Sequence, residues 1–422
     1  MTFDIFSPLT LQSGAVLPNR LCKAAMEENM AEAGQIPGEA LFTLYSEWAK
    51  GGAGLILTGN VMVDPKALTG PGGVVLELGS LADDDNRMRF ERWAKSGKSG
   101  GGKLVMQISH PGRQVYATMG TEGVSASVTK VTMEGPGDKM FAPSRAMTSD
   151  EILGTIKRFA DTAHMAERAG FDGVEIHAAH GYLVAQFLSP LTNLREDKWG
   201  GSLENRARFL LEIVRAVRAR VEPGFIVGVK LNSADFQKGG FDIGDARQVV
   251  DWLGGEAIDF VELSGGNYES AAMMGMAADG RAQSTQAREM FFLDFAKDIA
   301  KAATMPIMVT GGVTRRETAE TALAEGVDIV GIARALAYNP NLPNDWRVGK
   351  NLHTSIATVM WKNTGLRSLA NMALAKEQLS HVSQGRGVKT KQKAIWALIK
   401  QQLKQKRQTT RYKAWLAQSK DD

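Results

Sequence analysis

The sequence predicts an α/β fold, a closed (β/α)8 TIM barrel with an N-terminal hairpin and a C-terminal helical extension. Three observations lead there. Short apolar runs of strand-forming residues alternate with longer amphipathic stretches, the pattern of parallel strands joined by crossover helices. Eight such units can be counted, which suits a closed barrel better than an open sheet. No Gly-x-Gly-x-x-Gly follows the first strand, which argues against a Rossmann domain. A length of 422 residues holds a barrel of ~250 residues plus insertions. We divide it into a barrel over 1–340 and a basic helical extension over 341–422.

The opening FSPLTLQSGAVLPNR has two short strand-like arms around Ser13-Gly14, a candidate hairpin closing the bottom of the barrel. The eight strands are read at Arg20–Met26, Gly54–Gly59, Leu104–Ser109, Gly173–His177, Ile226–Asn232, Phe260–Ser264, Ile307–Gly311 and Ile329–Ala333. Helical stretches include Glu39–Lys50, Ser149–Ala169, Ser202–Arg220 and Ala287–Ala303. The glycine-rich span from His110 to Thr148 lacks helical periodicity and is expected as a loop or hairpin excursion over the top face, where barrel enzymes keep substrate determinants. Past Pro340 the pattern changes. Thr354–Lys376 and Lys389–Trp415 read as helices joined by the polar link HVSQGRG.

Composition is that of an ordinary globular protein, 44% hydrophobic and 23% charged. No apolar run reaches the ~18–20 residues that span a bilayer, and the N-terminus lacks a basic region followed by an apolar one. With Cys22 the only cysteine, a disulfide within the chain and a cysteine-held iron–sulfur cluster are both excluded, and a cytoplasmic location is expected. The charge is uneven. From Arg386 to Asp422 eleven Lys/Arg face two Asp, leaving the remaining residues mildly acidic.

Chemistry concentrates in GFDGVEIHAAHGYLVAQFLSPLTNLREDKWGGSLENR. Phe171–Ile176 alternates like a strand, so His177 falls at a strand end, with His180 and Tyr182 just beyond. Two imidazoles and a phenol there can polarise an oxygen and deliver a proton. A zinc site is the competing reading, but it needs a third ligand at usable spacing, and His110, His164, His353 and His381 sit in no Cys or Glu cluster; no metal is expected. At a barrel top, phosphate is commonly held after strands seven and eight. Here Gly311-Gly312 lets backbone N–H groups approach, and Arg334 offers a bidentate cation. A glutamine and a cation at other strand ends, Gln107 and Lys230, suit a cofactor with amide-like edges that gains negative charge. Taken singly, Gln107 could cap a turn and Lys230 could pair with Glu175 or Glu262.

The His177/His180/Tyr182 segment and NRLCKAAM, MQISHPGRQ and the glycine and arginine positions together resemble the Old Yellow Enzyme family of flavin-dependent ene-reductases, over about Phe6 to Asn341. The resemblance implies a (β/α)8 barrel with non-covalent FMN and NADH or NADPH as reductant. It implies that Ala24, Ala25, Met26, Glu27 and Gly59 lie near the isoalloxazine ring, with Gln107 on its pyrimidine edge and Lys230, where Arg is usual, near N1 and O2. Gly311, Gly312 and Arg334 would hold the FMN phosphate. His177 and His180 would hold the carbonyl of an α,β-unsaturated substrate, and Tyr182 would protonate it. Two positions depart from the family pattern. Glu27 stands where Cys or Thr approaches flavin O4, with no compensating cation expected, and Asn29 replaces a substrate-contacting Tyr.

The expected activity is therefore reduction of an enone C=C bond by ping-pong hydride transfer. A flavin-dependent amine or alcohol dehydrogenase, or an NAD(P)H oxidase, is the alternative within the same cofactor. A scaffold held on membrane or nucleic acid by its basic tail is the alternative outside enzymes, since lysines there interleave with Trp396, Leu398, Ile399, Leu403 and Trp415. Packing of that apolar side on protein is favoured. The expected partners are a small enone-type molecule and further copies of this chain in a homo-oligomer, without nucleic acid and without stable membrane insertion; only peripheral contact through the tail is left open.

Overall fold

The computed structural model describes residues 4–132, 139–265, 293–350 and 353–418. Eight strands run parallel: β1 (Leu21–Lys23), β2 (Leu55–Leu57), β3 (Lys103–Ser109), β4 (Gly173–Ala178), β5 (Ile226–Asn232), β6 (Phe260–Ser264), β7 (Ile307–Thr310) and β8 (Ile329–Ile332). Each pairs with the next, and β8 returns to β1, so the sheet closes. Runs such as IVGVKLN are buried along their whole length, as parallel strands covered on both faces must be. The first strand is shorter than expected, because the Ala24 N–H makes the last bond to Ile332 before the chain turns away.

Between the strands lie α1 (Glu39–Lys50), α2 (Asp84–Gly97), α3 (Ser149–Arg168), α4 (Leu203–Arg218), α5 (Ile243–Leu253), α6 (Leu293–Ala300) and α7 (Arg316–Ala324). Their starts carry the signals of capped helices. Thr148 and Glu151 form a reciprocal capping box on α3, while Asp83, Ser202 and Asp242 accept backbone N–H groups at α2, α4 and α5. The first part of the expected helix Ala287–Ala303 lies outside the described residues.

The hairpin forms as expected, with Leu9–Thr10 antiparallel to Val16–Leu17. It stoppers the bottom of the barrel. Ser13 N–H donates to Asp259 Oδ1 at 2.7 Å, and Leu11 and Leu17 pack with Val105, Ile226 and Phe260. Burying one such side chain is worth about 1.5–3 kcal/mol. Phe260 also explains Gly228, where an added Cβ would stand 2.3 Å from its ring. Two residues further along the strands the inward positions turn polar, at Gln107, Lys230 and Glu262. The barrel thus has an oily floor and a charged upper layer.

The excursion between His110 and Thr148 does lie at the top, but its core is a parallel ladder of Gly123–Ser125 with Ser144–Ala146 rather than a hairpin. The loop after β2 adds Val61–Met62 and Val74–Val75 beside the end of β3.

After β8 comes the short α8 (Arg334–Tyr338), and the extension adds α9 (Thr364–Val382) and α10 (Ala394–Gln418). The expected helix at Thr354 starts ten residues late, because Asn363 caps the Leu366 N–H and fixes the first turn there. It also runs through His381 and Val382, the first two residues of the expected link. The extension packs on the barrel. Tyr412 is fully buried among Met62, Leu68, Val75, Val115 and Met119, and its hydroxyl donates to the Pro65 carbonyl at 2.9 Å.

Candidate active site

The top of β4 carries the imidazole–phenol cluster that the sequence suggested. His177, the fifth residue of β4, is buried, and its ring stands edge-on to His180 at 5.1 Å and to Tyr182 at 4.7 Å between centroids. The Ala179 N–H donates to His177 Nδ1 at 3.3 Å, so the proton of the neutral ring sits on Nε2. His180 Nε2 lies 2.8 Å from the Ser264 hydroxyl. When Ser264 donates, the His180 proton is on Nδ1 and remains for a ligand. Local backbone geometry is specialised here. His180 has a φ of 58°, and Asn232 Oδ1 accepts its N–H at 3.1 Å.

Both imidazoles are neutral at pH 7. Burial, then the neighbouring His180, then the Lys230 cation push His177 well below the usual histidine range. Burial and Lys230 push His180 down to about 3. Two neutral N–H donors close together can share one developing oxyanion without mutual repulsion. Tyr182 is 5% exposed and stands at the N-cap of a short helix, Leu183–Leu188, which fixes it beside His177.

Beneath them lies a charged layer. Lys230 Nζ donates to Glu262 Oε1 at 2.6 Å, and Gln107 Nε2 donates to Glu175 Oε2 at 2.6 Å. Lys230 therefore pairs with Glu262, one of the two carboxylates considered from sequence, and Gln107 caps no turn. Burial and then the Glu262 charge push Glu175 well above the carboxylate range. Burial alone would also raise Glu262, but Lys230 and the Glu175 contact outweigh it and lower it. Burial would lower Lys230, yet Glu262 and Glu175 raise it. One proton on Glu175 and one ion pair leave the layer neutral, which is what a dry interior demands.

The other expected positions rim the same face. Ala24 is buried, while Ala25, Met26, Glu27 and Asn29 are half-buried on the loop leaving β1. Gly59 ends β2 under close packing, since a Cβ there would meet Glu28 Oε2 at 2.1 Å and the Met26 carbonyl at 2.3 Å. Gly311 and Gly312 follow β7 directly, with Gly312 exposed at a φ of 70°. Arg334 follows β8 with an exposed side chain. Gly331 lets β8 approach β7, where a Cβ would lie 1.8 Å from Thr310 Oγ1.

Three features escaped the sequence reading. Lys23 is fully buried outside the barrel, bonded to the Leu57 carbonyl at 2.8 Å and 4.1 Å over the Trp48 ring. Tyr45, which accepts the Gly59 N–H and donates to Glu28 Oε1 at 2.6 Å, ties that cluster to the end of β2. The third is Lys376, from α9, which reaches the loop after β1. It bonds Asn29 Oδ1 and stands 3.9 Å from Glu27 Oε2, while Thr69 donates to Glu27 Oε1 at 2.8 Å. Glu27 thus does have a cation beside it, contrary to expectation. Three hundred and more intervening residues hid the pair from any local pattern. Among the described residues no group of three or more His, Cys, Asp or Glu is placed to hold a metal.

A fit for a flavin can be judged on the residues themselves. Small side chains at Ala24, Ala25 and Gly59, polar ones at Gln107 and Lys230, and the buried Ser109 hydroxyl, which has no partner among the described residues, suit an amide-edged ring. The model of the NADH:flavin oxidoreductase / NADH oxidase family matches residues 4–354. The chain is 38% identical over 367 residues to NADH-dependent flavin oxidoreductase iliE of Hypocrea jecorina, covering 83% of this chain and 91% of that one. The solved old yellow enzyme homologue from Zymomonas mobilis superposes with a TM-score of 0.70 at 25% identity, over 83% of this chain and 94% of that one. Morphinone reductase, also solved with tetrahydroNAD, superposes at 0.68 and 25% identity, over 85% and 92%.

Proposed function

The chain belongs to the NADH:flavin oxidoreductase / NADH oxidase family, with Old Yellow Enzyme relatives, and we propose that this FMN-dependent oxidoreductase reduces the C=C bond of α,β-unsaturated carbonyl compounds. The observation that carries the proposal is the cluster of two neutral imidazoles and a phenol at one strand end.

FMN, when bound, supplies hydride transfer from NADH or NADPH to the substrate carbon. Gln107 and Lys230 would hold its polar edge. Lys230 has three donors and spends one on Glu262, so it can serve both. Ala24, Ala25, Met26, Glu27 and Gly59 would border the ring, and Gly311, Gly312 and Arg334 would take the phosphate. His177 Nε2–H and His180 Nδ1–H donate to the substrate carbonyl oxygen and stabilise the enolate as it forms. Tyr182 delivers the proton to Cα, a contribution of ~10²–10⁴-fold for a positioned acid. Reductant and substrate use the site in turn, giving ping-pong kinetics.

The test is to reduce the purified flavoprotein with one equivalent of NADH without oxygen and add 2-cyclohexen-1-one. Stoichiometric cyclohexanone with return of the oxidised flavin spectrum is expected. No saturated ketone, and no return of the oxidised spectrum until oxygen is admitted, would make the protein an NADH oxidase instead.

A further inference from the structure

Residues 24–27, expected along the ring, are bracketed in sequence by Lys23 and Glu28, and the fold ties those two together. Lys23 Nζ stands 3.6 Å from Glu28 Oε1, with both side chains buried. The ion pair therefore pins both ends of the segment that leaves β1. The same carboxylate oxygen accepts the Tyr45 hydroxyl at 2.6 Å, and that hydroxyl accepts the Gly59 N–H at 3.0 Å. Lys23 also donates to the Leu57 carbonyl at 2.8 Å. One cluster thus holds the loop after β1 against the end of β2.

Gly59 is where the two segments meet. Its N–H goes to Tyr45, and its carbonyl accepts from Thr58 Oγ1 at 2.8 Å, so both of its backbone polar groups bond side chains. Thr58 Oγ1 in turn accepts the Gln107 N–H at 2.9 Å, which carries the network to a second ring position. The junction has no slack, because Glu28 Oε2 and the Met26 carbonyl occupy the space a side chain at Gly59 would need.

Stability alone does not account for this cluster. Lys23 lies between the barrel wall and α1, with its ammonium 4.1 Å over the Trp48 ring and 5.2 Å over that of Tyr45. Burial pulls the ammonium down to about 8, with Glu28 working against it. Well-packed apolar side chains fill such a place at no electrostatic cost, and a buried ion pair seldom stabilises more than they do. What directed bonds supply, and apolar packing does not, is a fixed position for the backbone atoms they hold.

We propose that Lys23, Glu28 and Tyr45 are positioning residues for the flavin, a buried clamp that sets the backbone of residues 24–27 and of Gly59 at the spacing the ring needs. The proposal rests on the FMN placement given above and is independent of which acceptor the reduced flavin serves.

The test uses the full-length flavoprotein. Tyr45→Phe removes only the hydroxyl and keeps the ring packed edge-on to Trp48 and Trp93. Glu28→Gln keeps an acceptor for Tyr45 and loses the charge that holds Lys23. Tyr412→Phe is the matched control, since it also loses one buried hydroxyl bond, to the Pro65 carbonyl, on a residue with no place in the flavin site. FMN affinity is read from the fluorescence of cofactor released on dilution, the surroundings of the ring from visible circular dichroism of bound flavin, and stability from Tm. Tyr45→Phe and Glu28→Gln should each weaken FMN about 5- to 10-fold and change the dichroism. Tyr412→Phe should lower Tm comparably, hold FMN within about 2-fold of wild type and keep the wild-type dichroism. Clamp variants that lower Tm yet keep wild-type FMN affinity and dichroism overturn the proposal and leave the cluster a purely structural one. Gln107→Ala checks the ring placement separately. If it weakens FMN while the clamp variants do not, the clamp alone fails; if it too binds FMN like the wild type, the placement fails and the clamp with it.

Discussion

A single backbone bond decides which nitrogen of His177 faces a ligand: the Ala179 N–H occupies Nδ1, so only Nε2 can donate. The two histidines stay neutral because burial dominates, and this fixes a pH prediction. Phenol binding should follow ionisation of the phenol between pH 6 and 9 and show no step near the ordinary histidine pKa of ~6.5. A step there, seen in a binding titration across that range, would mean that one ring protonates. The linkage sign follows as well. Both folded-state values lie below the unfolded one, so the unfolded chain binds more protons as pH falls below ~6.5. Stability contributed by the neutral pair is complete above that pH and is lost toward about 3, the value for His180. His180→Asn should therefore flatten the acid limb of a denaturation series. Arg334→Ala should weaken FMN binding by ~1.5–3 kcal/mol, the scale of a hydrogen bond to a charged group, measured by fluorescence on cofactor release. Glu27 is a residue whose expectation changes with structure. With Thr69 and Lys376 on its two oxygens, its field at a bound ring would be partly cancelled. Glu27→Gln should move the flavin potential by less than ~30 mV, where an isolated carboxylate would do more. A larger rise in potentiometric titration would show that Lys376 does not screen it.

Elements were legible from sequence to the degree that their signals are local. Glu39–Lys50 and the strands Ile226–Asn232 and Phe260–Ser264 coincide with their expected bounds, because period and composition change abruptly at both ends. The Thr354 boundary failed, since nothing in the run before Asn363 forbids helix and the true start depends on a cap. The fold of the His110–Thr148 excursion was not legible either: a parallel pairing between Gly123–Ser125 and Ser144–Ala146 has no turn signature. In the site, His177, His180 and Tyr182 share one strand end and could be read together. Lys376 at Asn29 could not, because only the path of α9 and α10 brings them close. That path makes a prediction for the elements themselves. Tyr412→Ala should cost ~3–5 kcal/mol, as for loss of a large buried aromatic, and lower Tm. Removing residues after Gln384 should lower it at least as far. A truncated chain as stable as the whole would show that α10 does not hold the barrel top.

On the scale of the whole molecule, the apolar floor, the neutral charged layer and the donor-lined top form a gradient along the barrel axis. Water-excluding packing lies below and the chemistry above, which is where barrel enzymes place it. The extension adds a second polarity. Its basic helix buries Tyr412 on the acidic body and leaves Trp396, Ile399 and Leu403 on the other side, 58%, 44% and 55% exposed. No helix among the described residues is long and apolar enough to cross a membrane. The central claim concerns the division of labour at the top: His177 and His180 hold the oxygen and Tyr182 gives the proton. The most direct measurement is a pair of single-turnover rates without oxygen, flavin reduction by NADH and flavin reoxidation by 2-cyclohexen-1-one, in the wild type and in Tyr182→Phe. The account predicts reduction within about 2-fold of wild type and reoxidation slower by ~10²-fold or more. Equal reoxidation rates in the two proteins would contradict it.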